Sequence, residues 1–230
     1  MSSSDSRSEL KDEDVWIWTV SSRKIHLLRP TRDEIWFPDI AVALSHVCRF
    51  GGQLKQHYSV AQHCVVMSRL VSPGAAVWAL MHDSAEAYLG DVVWPLKHSI
   101  PVYRDLEERM LEAIAGRLGM SWPIDDKIKA EVKAWDSALC RYELQKFTGR
   151  SELARTALDG VTVTAPPDAI DSAWGPDKAC RLYVARAVEL GVFVCTHPGA
   201  KWVAEWPGGQ LVGMRCPDCG KLWEAEPPSQ

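Results

Sequence analysis

Five residues with metal-binding or acid–base side chains interrupt otherwise apolar helical segments. His82 and Asp83 are adjacent, and Glu86 follows His82 by four residues, so His82 and Glu86 share one helix face. His63 lies in the preceding helical segment and Asp136 in a later one. Burying the Asp83 and Glu86 carboxylates unpaired would cost on the order of several kcal/mol. A divalent cation would offset that cost, and imidazole with carboxylate is a ligand set that suits Zn, Mn, Co or Fe.

A purely structural interpretation has to be weighed against the metal site. A single histidine in an apolar helix is more commonly a hydrogen-bonded core residue, and an isolated His-Asp pair carries little information. The combination is more specific, because three separate helical segments each place one such interruption in an apolar face. The pattern therefore favours a shared metal site over unrelated core residues.

The segments that must position these side chains are mostly helical. Alternating apolar and polar residues on either side of a Ser-Ser-Arg-Lys turn predict a β-hairpin over 16–38. Apolar spacing and cap residues predict helices elsewhere. These predicted helices span 39–49, 59–71, 74–89, 103–118, 125–147 and 176–190. We expect a mostly α fold, a helical bundle with a small N-terminal hairpin.

Three motifs together resemble a known superfamily. The stretch HDSAEAYLGDVVWPLK, from His82 to Lys97, resembles the signature of the HD-domain phosphohydrolases. The preceding YSVAQHC resembles the first-histidine motif of that superfamily, and VKAWDSAL resembles its closing aspartate motif. The resemblance covers about 16–148 and the helix near 176–190. It is nearest to the compact branch that includes bacterial 5′-deoxynucleotidases and phage dATP triphosphohydrolases.

The resemblance implies a role for each matching position. Glu86 matches the residue that activates or orients the attacking water, and Asp91 matches a second acidic residue that assists proton transfer near the leaving group. Arg49 matches an arginine that contacts phosphate. Four positions match metal ligands: His63, His82, Asp83 and Asp136.

Other residues near these motifs suit a nucleotide. Arg49 and Lys97 could neutralise charge on a phosphate, although Lys97 also fits a solvated loop lysine. Trp94, Phe50 and Tyr88 are candidates for stacking on a base, and each of them also fits a core residue.

The expected function is a metal-dependent phosphohydrolase that acts on a deoxynucleotide, either a monophosphate or a triphosphate such as dATP. Water would attack the α-phosphorus, helped by a metal that polarises the phosphoryl oxygen. Two alternatives stay open: a phosphodiesterase of cyclic or linear dinucleotides, and a non-catalytic nucleotide-binding regulator with the same fold.

A second metal site is indicated near the C-terminus. Cys195 and His197 form one short pair, and Cys216 and Cys219 form a second pair of the C-x-x-C type. This arrangement is typical of a structural zinc knuckle or ribbon. The alternative is a flexible tail with unliganded cysteines. We therefore expect three regions: a flexible tail at 1–15, the metallohydrolase at 16–191, and a zinc-binding module at 192–230.

Charge and composition limit the kinds of partner that the sequence predicts. The formal net charge is −4, which disfavours nucleic acid as a main partner. No apolar run approaches the roughly 20 residues that a membrane span needs, and the polar N-terminus has no signal-peptide core. We expect a cytoplasmic protein with a small-molecule nucleotide substrate. The resemblance further implies a homo-oligomer.

Overall fold

The computed structural model describes residues 15–149 and 172–192, and the backbone of three short strands further along the chain. In the described residues the protein is mostly helical, with a small two-stranded antiparallel sheet near the N-terminus. This confirms the coarse fold prediction. The elements before the last three strands are β1 (Trp16–Trp18), β2 (Lys24–His26), α1 (Phe37–His46), a 3₁₀ turn (Arg49–Gly52), α2 (Val60–Leu70), α3 (Ala76–Met81), α4 (Glu86–Leu89), α5 (Trp94–Ser99), α6 (Pro101–Leu118), α7 (Asp126–Thr148) and α8 (Pro176–Glu189).

Helix α2 lies at the centre of the bundle. Its residues from Val60 to Ser68 are all buried, and it packs against α1, α3, α7 and α8. The Ser59 side chain caps its N-terminus by accepting a hydrogen bond from the Gln62 backbone N–H. The Gln62 side chain accepts from Trp174 N and donates to Ser172 O, which holds the approach to α8 against α2. The central helix therefore fixes its residues, His63 among them, relative to four neighbours.

The predicted helix over 74–89 is interrupted in the structure. Helix α3 ends at Met81 and α4 begins at Glu86. Between them Ser84 N bonds to Met81 O and Glu86 N bonds to Asp83 O, which are three-residue spacings. The turn is therefore tighter than an α-helix, and His82 and Asp83 lie within it. Helix α4 ends at Gly90, whose φ of +78° favours glycine.

The hairpin is shorter than predicted, and one helix was not predicted. Only Trp16–Trp18 and Lys24–His26 pair, with Ile17 opposite Ile25. The chain after β2 instead forms turns, in which Glu34 accepts hydrogen bonds from His26 and from Thr31 N. Helix α5 was not predicted because it spans six residues and none of them is buried, so it has no apolar periodicity to indicate a helix.

The last part of the described chain is a three-stranded antiparallel sheet. Its strands are β3 (Val203–Glu205), β4 (Gly213–Arg215) and β5 (Leu222–Glu224), in the order β3-β4-β5. The four predicted zinc ligands, Cys195, His197, Cys216 and Cys219, lie outside the described residues. The zinc module and the boundary at residue 192 stay predictions. None of the helices in the described segments has the length and apolar character of a membrane span.

Candidate metal centre

Three elements bring the predicted metal ligands to one point. His63 comes from buried helix α2, His82 and Asp83 come from the tight turn after α3, and Asp136 comes from α7. One donor atom from each of His63, His82 and Asp83 lies within 4.8 Å of the others, so these three residues could hold a metal ion. Asp136 Oδ1 lies 3.1 Å from His63 Nε2 and 3.8 Å from His82 Nε2.

The spacing of the donor atoms suits one small cation. His82 Nε2 lies 3.1 Å from Asp83 Oδ2, and His63 Nε2 lies 3.9 Å from the same oxygen. Atoms that each bind one ion at about 2.1 Å lie roughly 3 to 3.4 Å apart in octahedral or tetrahedral geometry. The observed separations are close to that range, so a modest inward movement would satisfy a single ion.

Both imidazole rings turn the same nitrogen toward this point. His63 Nδ1 lies 2.8 Å from Glu143 Oε1, and His82 Nδ1 lies 3.0 Å from Ala79 O. A carboxylate and a carbonyl only accept hydrogen bonds, so each Nδ1 is the donor. Both Nε2 atoms are buried and make no hydrogen bond among the described residues, although each faces a carboxylate oxygen 3.1 Å away. A metal ion between these nitrogens and carboxylates would coordinate both Nε2 atoms.

Carboxyl groups outnumber the permanent cations at the centre in the described part of the chain. The permanent cations are Arg49 and Lys97, and the carboxyl groups around them are Asp83, Glu86, Asp91, Glu107, Asp136 and Glu143. A divalent cation would place positive charge beside Asp83 and Asp136, whose pKa values are lowered. The donor chemistry therefore fits a metal ion.

The pKa shifts follow from this crowding. Burial alone would lower the pKa of both imidazoles, but neighbouring carboxylates outweigh it, so the pKa of His63 is raised and that of His82 is raised well above its ordinary value. Burial alone would raise the pKa of Asp83 and of Asp136, but His82 and Arg49 lower the pKa of Asp83, and His63 and His82 lower that of Asp136. The carboxylates are thus ionised and ready to coordinate.

Glu86 lies beside this centre with one oxygen unused. Its side chain is buried, its Oε1 lies 3.5 Å from Lys97 Nζ, and its Oε2 has no hydrogen-bond partner in the part of the chain that the structure describes. Burial raises the pKa of Glu86 well above its ordinary value, and the nearby charges of Asp83 and Asp91 add to the increase. A carboxylate with a raised pKa and a free oxygen suits general acid–base catalysis.

Lys97 is held by two acids rather than solvated. Besides Glu86, its Nζ lies 2.6 Å from Glu107 Oε1, and the ammonium lies over the Tyr103 ring. Lys97 is therefore fixed at the edge of the site, although its charge is already shared by two carboxylates.

The turn at Arg49 brings two more predicted residues to the site. Arg49 is buried, with Nη1 3.2 Å from Asp83 Oδ2 and Nη2 3.7 Å from Asp136 Oδ1. The next residue, Phe50, has a φ of +59°, and its backbone N–H donates to Asp91. Burial is the main cause that raises the pKa of Asp91. The Phe50 ring lies beside the Arg49 guanidinium, 5.5 Å from its centre.

The other predicted stacking residues have contrasting positions. Trp94 is 72% exposed and stacks on His98, at the start of α5 beside Lys97. Tyr88 is buried in the hydrophobic core, and its pKa is raised by burial and by Asp39, which lies on α1. Trp94 is thus accessible to a ligand, whereas Tyr88 matches the core alternative.

Sequence reasoning missed three residues around the centre. Glu143 and Tyr58 bond to each other at 2.6 Å and are both fully buried, and Glu107 bonds to Lys97. Glu143 follows Asp136 by seven residues, two helical turns along the same face of α7. That spacing was the one signal in the sequence that could have indicated Glu143.

Comparison with known proteins places the chain in a family without assigning it an activity. The chain is 35% identical over 147 residues to an uncharacterized protein of Rhodobacter capsulatus, a match that covers 60% of this chain and 75% of that protein. The chain belongs to the family of this protein. It is also 43% identical over 105 residues to the uncharacterized protein YfdR of Escherichia coli K12. This match covers 46% of the chain and 59% of YfdR, less than two thirds of its length. No protein-family model matches the chain.

Proposed function

We propose that this protein is a metal-dependent phosphohydrolase that acts on a deoxynucleotide, a monophosphate or a triphosphate. The observation that carries the proposal is the convergence on one point of the Asp83 carboxylate and two imidazole nitrogens that make no hydrogen bond among the described residues. Asp136 is the proposed fourth ligand, and the resident ion is proposed to be Zn, Mn, Co or Fe. When bound, such an ion polarises a phosphoryl oxygen and lowers the pKa of water.

The residues beside the ligands supply the remaining chemistry. Glu86 has a free, buried oxygen with which to orient a water molecule and to accept its proton. Arg49 carries a positive charge that can turn from Asp83 to a phosphate oxygen, because a metal would take over the neutralisation of that carboxylate. Asp91 is the proposed proton donor near the leaving oxygen. Its raised pKa favours the protonated form that donation requires.

The proposed reaction breaks one bond and forms one. Water attacks the α-phosphorus, the bond between that phosphorus and the 5′ oxygen breaks, and the 5′ oxygen takes up a proton. The products are a nucleoside and phosphate, or a nucleoside and triphosphate. The exposed Trp94 is the proposed contact for the base.

A product analysis tests the proposal. The purified full chain is incubated with dNMPs, dNTPs and cyclic and linear dinucleotides, each with Mn, Co, Zn or Mg, in ¹⁸O-labelled water. We expect nucleoside as a product and one ¹⁸O atom in the released phosphate or triphosphate. Cleavage of dinucleotides alone would favour the phosphodiesterase alternative. Nucleotide binding without turnover under every metal would favour the regulator.

A further inference from the structure

Glu143 is a buried carboxylate that contacts two different parts of the candidate site. It lies on α7 and is fully buried. Its Oε1 accepts hydrogen bonds from His63 Nδ1 and from the Tyr58 hydroxyl, and its Oε2 accepts from Arg49 Nε at 3.1 Å. The two oxygens therefore serve different partners: one serves a metal-ligand imidazole, and the other serves the arginine.

The contact with His63 determines which of its nitrogens can bind a cation. Because a Glu143 carboxylate oxygen lies 2.8 Å from Nδ1, a neutral His63 imidazole carries its hydrogen on Nδ1 and its lone pair on Nε2. A carboxylate behind a ligand imidazole also raises its basicity and fixes the orientation of its ring. His82 has no carboxylate in the corresponding place among the described residues: its Nδ1 faces the Ala79 carbonyl, with the Cys64 sulfur 4.0 Å away. The two histidines are thus supported differently, and His63 depends on Glu143.

The contact with Arg49 anchors the guanidinium at one end. Nε is bound to Glu143, while Nη1 and Nη2 lie toward Asp83 and Asp136. With Nε anchored, Nη1 and Nη2 can exchange these carboxylates for an anion while the side chain stays in the site. One buried carboxylate therefore links the geometry of a cation ligand to the geometry of the residue proposed for phosphate.

We infer that Glu143 is a positioning residue that fixes His63 for metal binding and Arg49 for phosphate binding. The inference rests on the proposed function and deepens it. A glutamine at this position cannot accept hydrogen bonds both from His63 and from Arg49. If its oxygen faces His63 and Tyr58, its NH₂ group faces Arg49 Nε, donor against donor.

A metal titration without substrate tests the inference. The variants are Glu143→Gln and a matched control on the same helix, Glu131→Gln, whose carboxylate accepts only from Ser72 N and Oγ among the contacts described. Zn²⁺ and Mn²⁺ affinity is measured by competition with a chromophoric chelator, beside the melting temperature of each metal-free variant. We expect Glu143→Gln to bind metal about 10- to 100-fold more weakly than wild type, and Glu131→Gln to bind like wild type.

The outcomes separate this inference from the proposed function. A folded Glu143→Gln protein with wild-type metal affinity and only a lower melting temperature would mean that Glu143 is merely structural, and the inference would fall. If metal affinity drops as expected but wild type hydrolyses no nucleotide, the proposed function falls and the role toward His63 stands. Wild type that takes up no divalent ion overturns both.

A spectroscopic test covers the case in which Glu143→Gln does not fold. In the zinc-loaded protein labelled with ¹⁵N-histidine, His63 should show a slowly exchanging, strongly downfield Nδ1 proton. Tyr58→Phe removes a competing donor from Glu143 Oε1, so we expect this proton to move further downfield while the Nδ1 proton of His82 keeps its position. No response of any imidazole proton to Tyr58→Phe would overturn the inference.

Discussion

His82 and Asp83 are adjacent in the chain, yet His82 Nε2 lies 3.1 Å from Asp83 Oδ2. Neighbours in an ideal α-helix point about 100° apart. Here both residues lie in the tight turn between α3 and α4, where backbone bonds span three residues. Three residues per turn set neighbours about 120° apart, yet both side chains reach the same point, which His63 approaches from α2.

The first prediction concerns Asp83 as a ligand. Asp83→Asn keeps the shape of the side chain but removes its charge, so we expect bound transition metal to fall by about one ion per chain and hydrolysis to be lost. Metal content by plasma mass spectrometry checks this, with Asp33→Asn as control because that side chain is 83% exposed. Full metal content and full activity in Asp83→Asn would refute the mechanism.

The second prediction separates catalysis from metal binding. Glu86→Gln removes the proposed base but none of the proposed ligands, so metal content should stay at the wild-type level while kcat falls about 10²- to 10⁴-fold. Steady-state kinetics and metal analysis on the same preparation check this. Loss of metal instead would make Glu86 a ligand.

The third prediction compares the two aromatic residues with contrasting exposure. Tyr88→Ala should lower the free energy of unfolding by about 3 to 5 kcal/mol, because it leaves a cavity in the core. Trp94→Ala should change stability by less than about 0.5 kcal/mol and raise KM for the nucleotide about tenfold. Urea denaturation and kinetics check both. Unchanged KM in Trp94→Ala would remove this tryptophan from the base contact.

The fourth prediction is a pH dependence set by Asp39, away from the metal centre. Asp39 is buried and accepts from Ser21 N and Oγ, and burial raises its pKa although these hydrogen bonds act against the increase. A carboxyl whose pKa is higher in the folded state stabilises the fold below its unfolded pKa, and this contribution is lost as pH rises through the folded pKa.

The prediction for Asp39 is checked by the difference in the free energy of unfolding between Asp39→Asn and wild type. Asparagine does not titrate, so the stability of Asp39→Asn relative to wild type should increase from about pH 4 to pH 7. Urea denaturation across this range checks it, and Asp33→Asn should give a flat difference. A flat difference for Asp39→Asn as well would contradict the prediction.

The fifth prediction concerns the C-terminal cysteines. Replacing Cys216 and Cys219 together with serine should lower zinc content by about one ion per chain, while Asp83→Asn should spare that ion. Zinc analysis of the two variants distinguishes the sites. An unchanged zinc-to-protein ratio in the double serine variant would refute the zinc module.

The sequence alone predicted the mostly helical fold, and it predicted that His63, His82 and Asp83 converge on one point. Apolar periodicity places α2, α6, α7 and α8 within one or two residues of their bounds, because long amphipathic patterns reflect burial directly. His63, His82 and Asp83 stood out because charged or polar groups in buried faces need a partner.

Only the tertiary structure decided how these residues are supported. Helix α3, which leads into the tight turn at His82, packs against α2 and α8, whereas the local pattern predicted one continuous helix there. In the sequence Glu143 resembles any glutamate in a polar helix. Its hydrogen bonds with His63 and Arg49 join residues 80 and 94 positions apart in the chain. Such long-range hydrogen bonds arise from the way the helices pack, which a linear pattern of residue types does not encode.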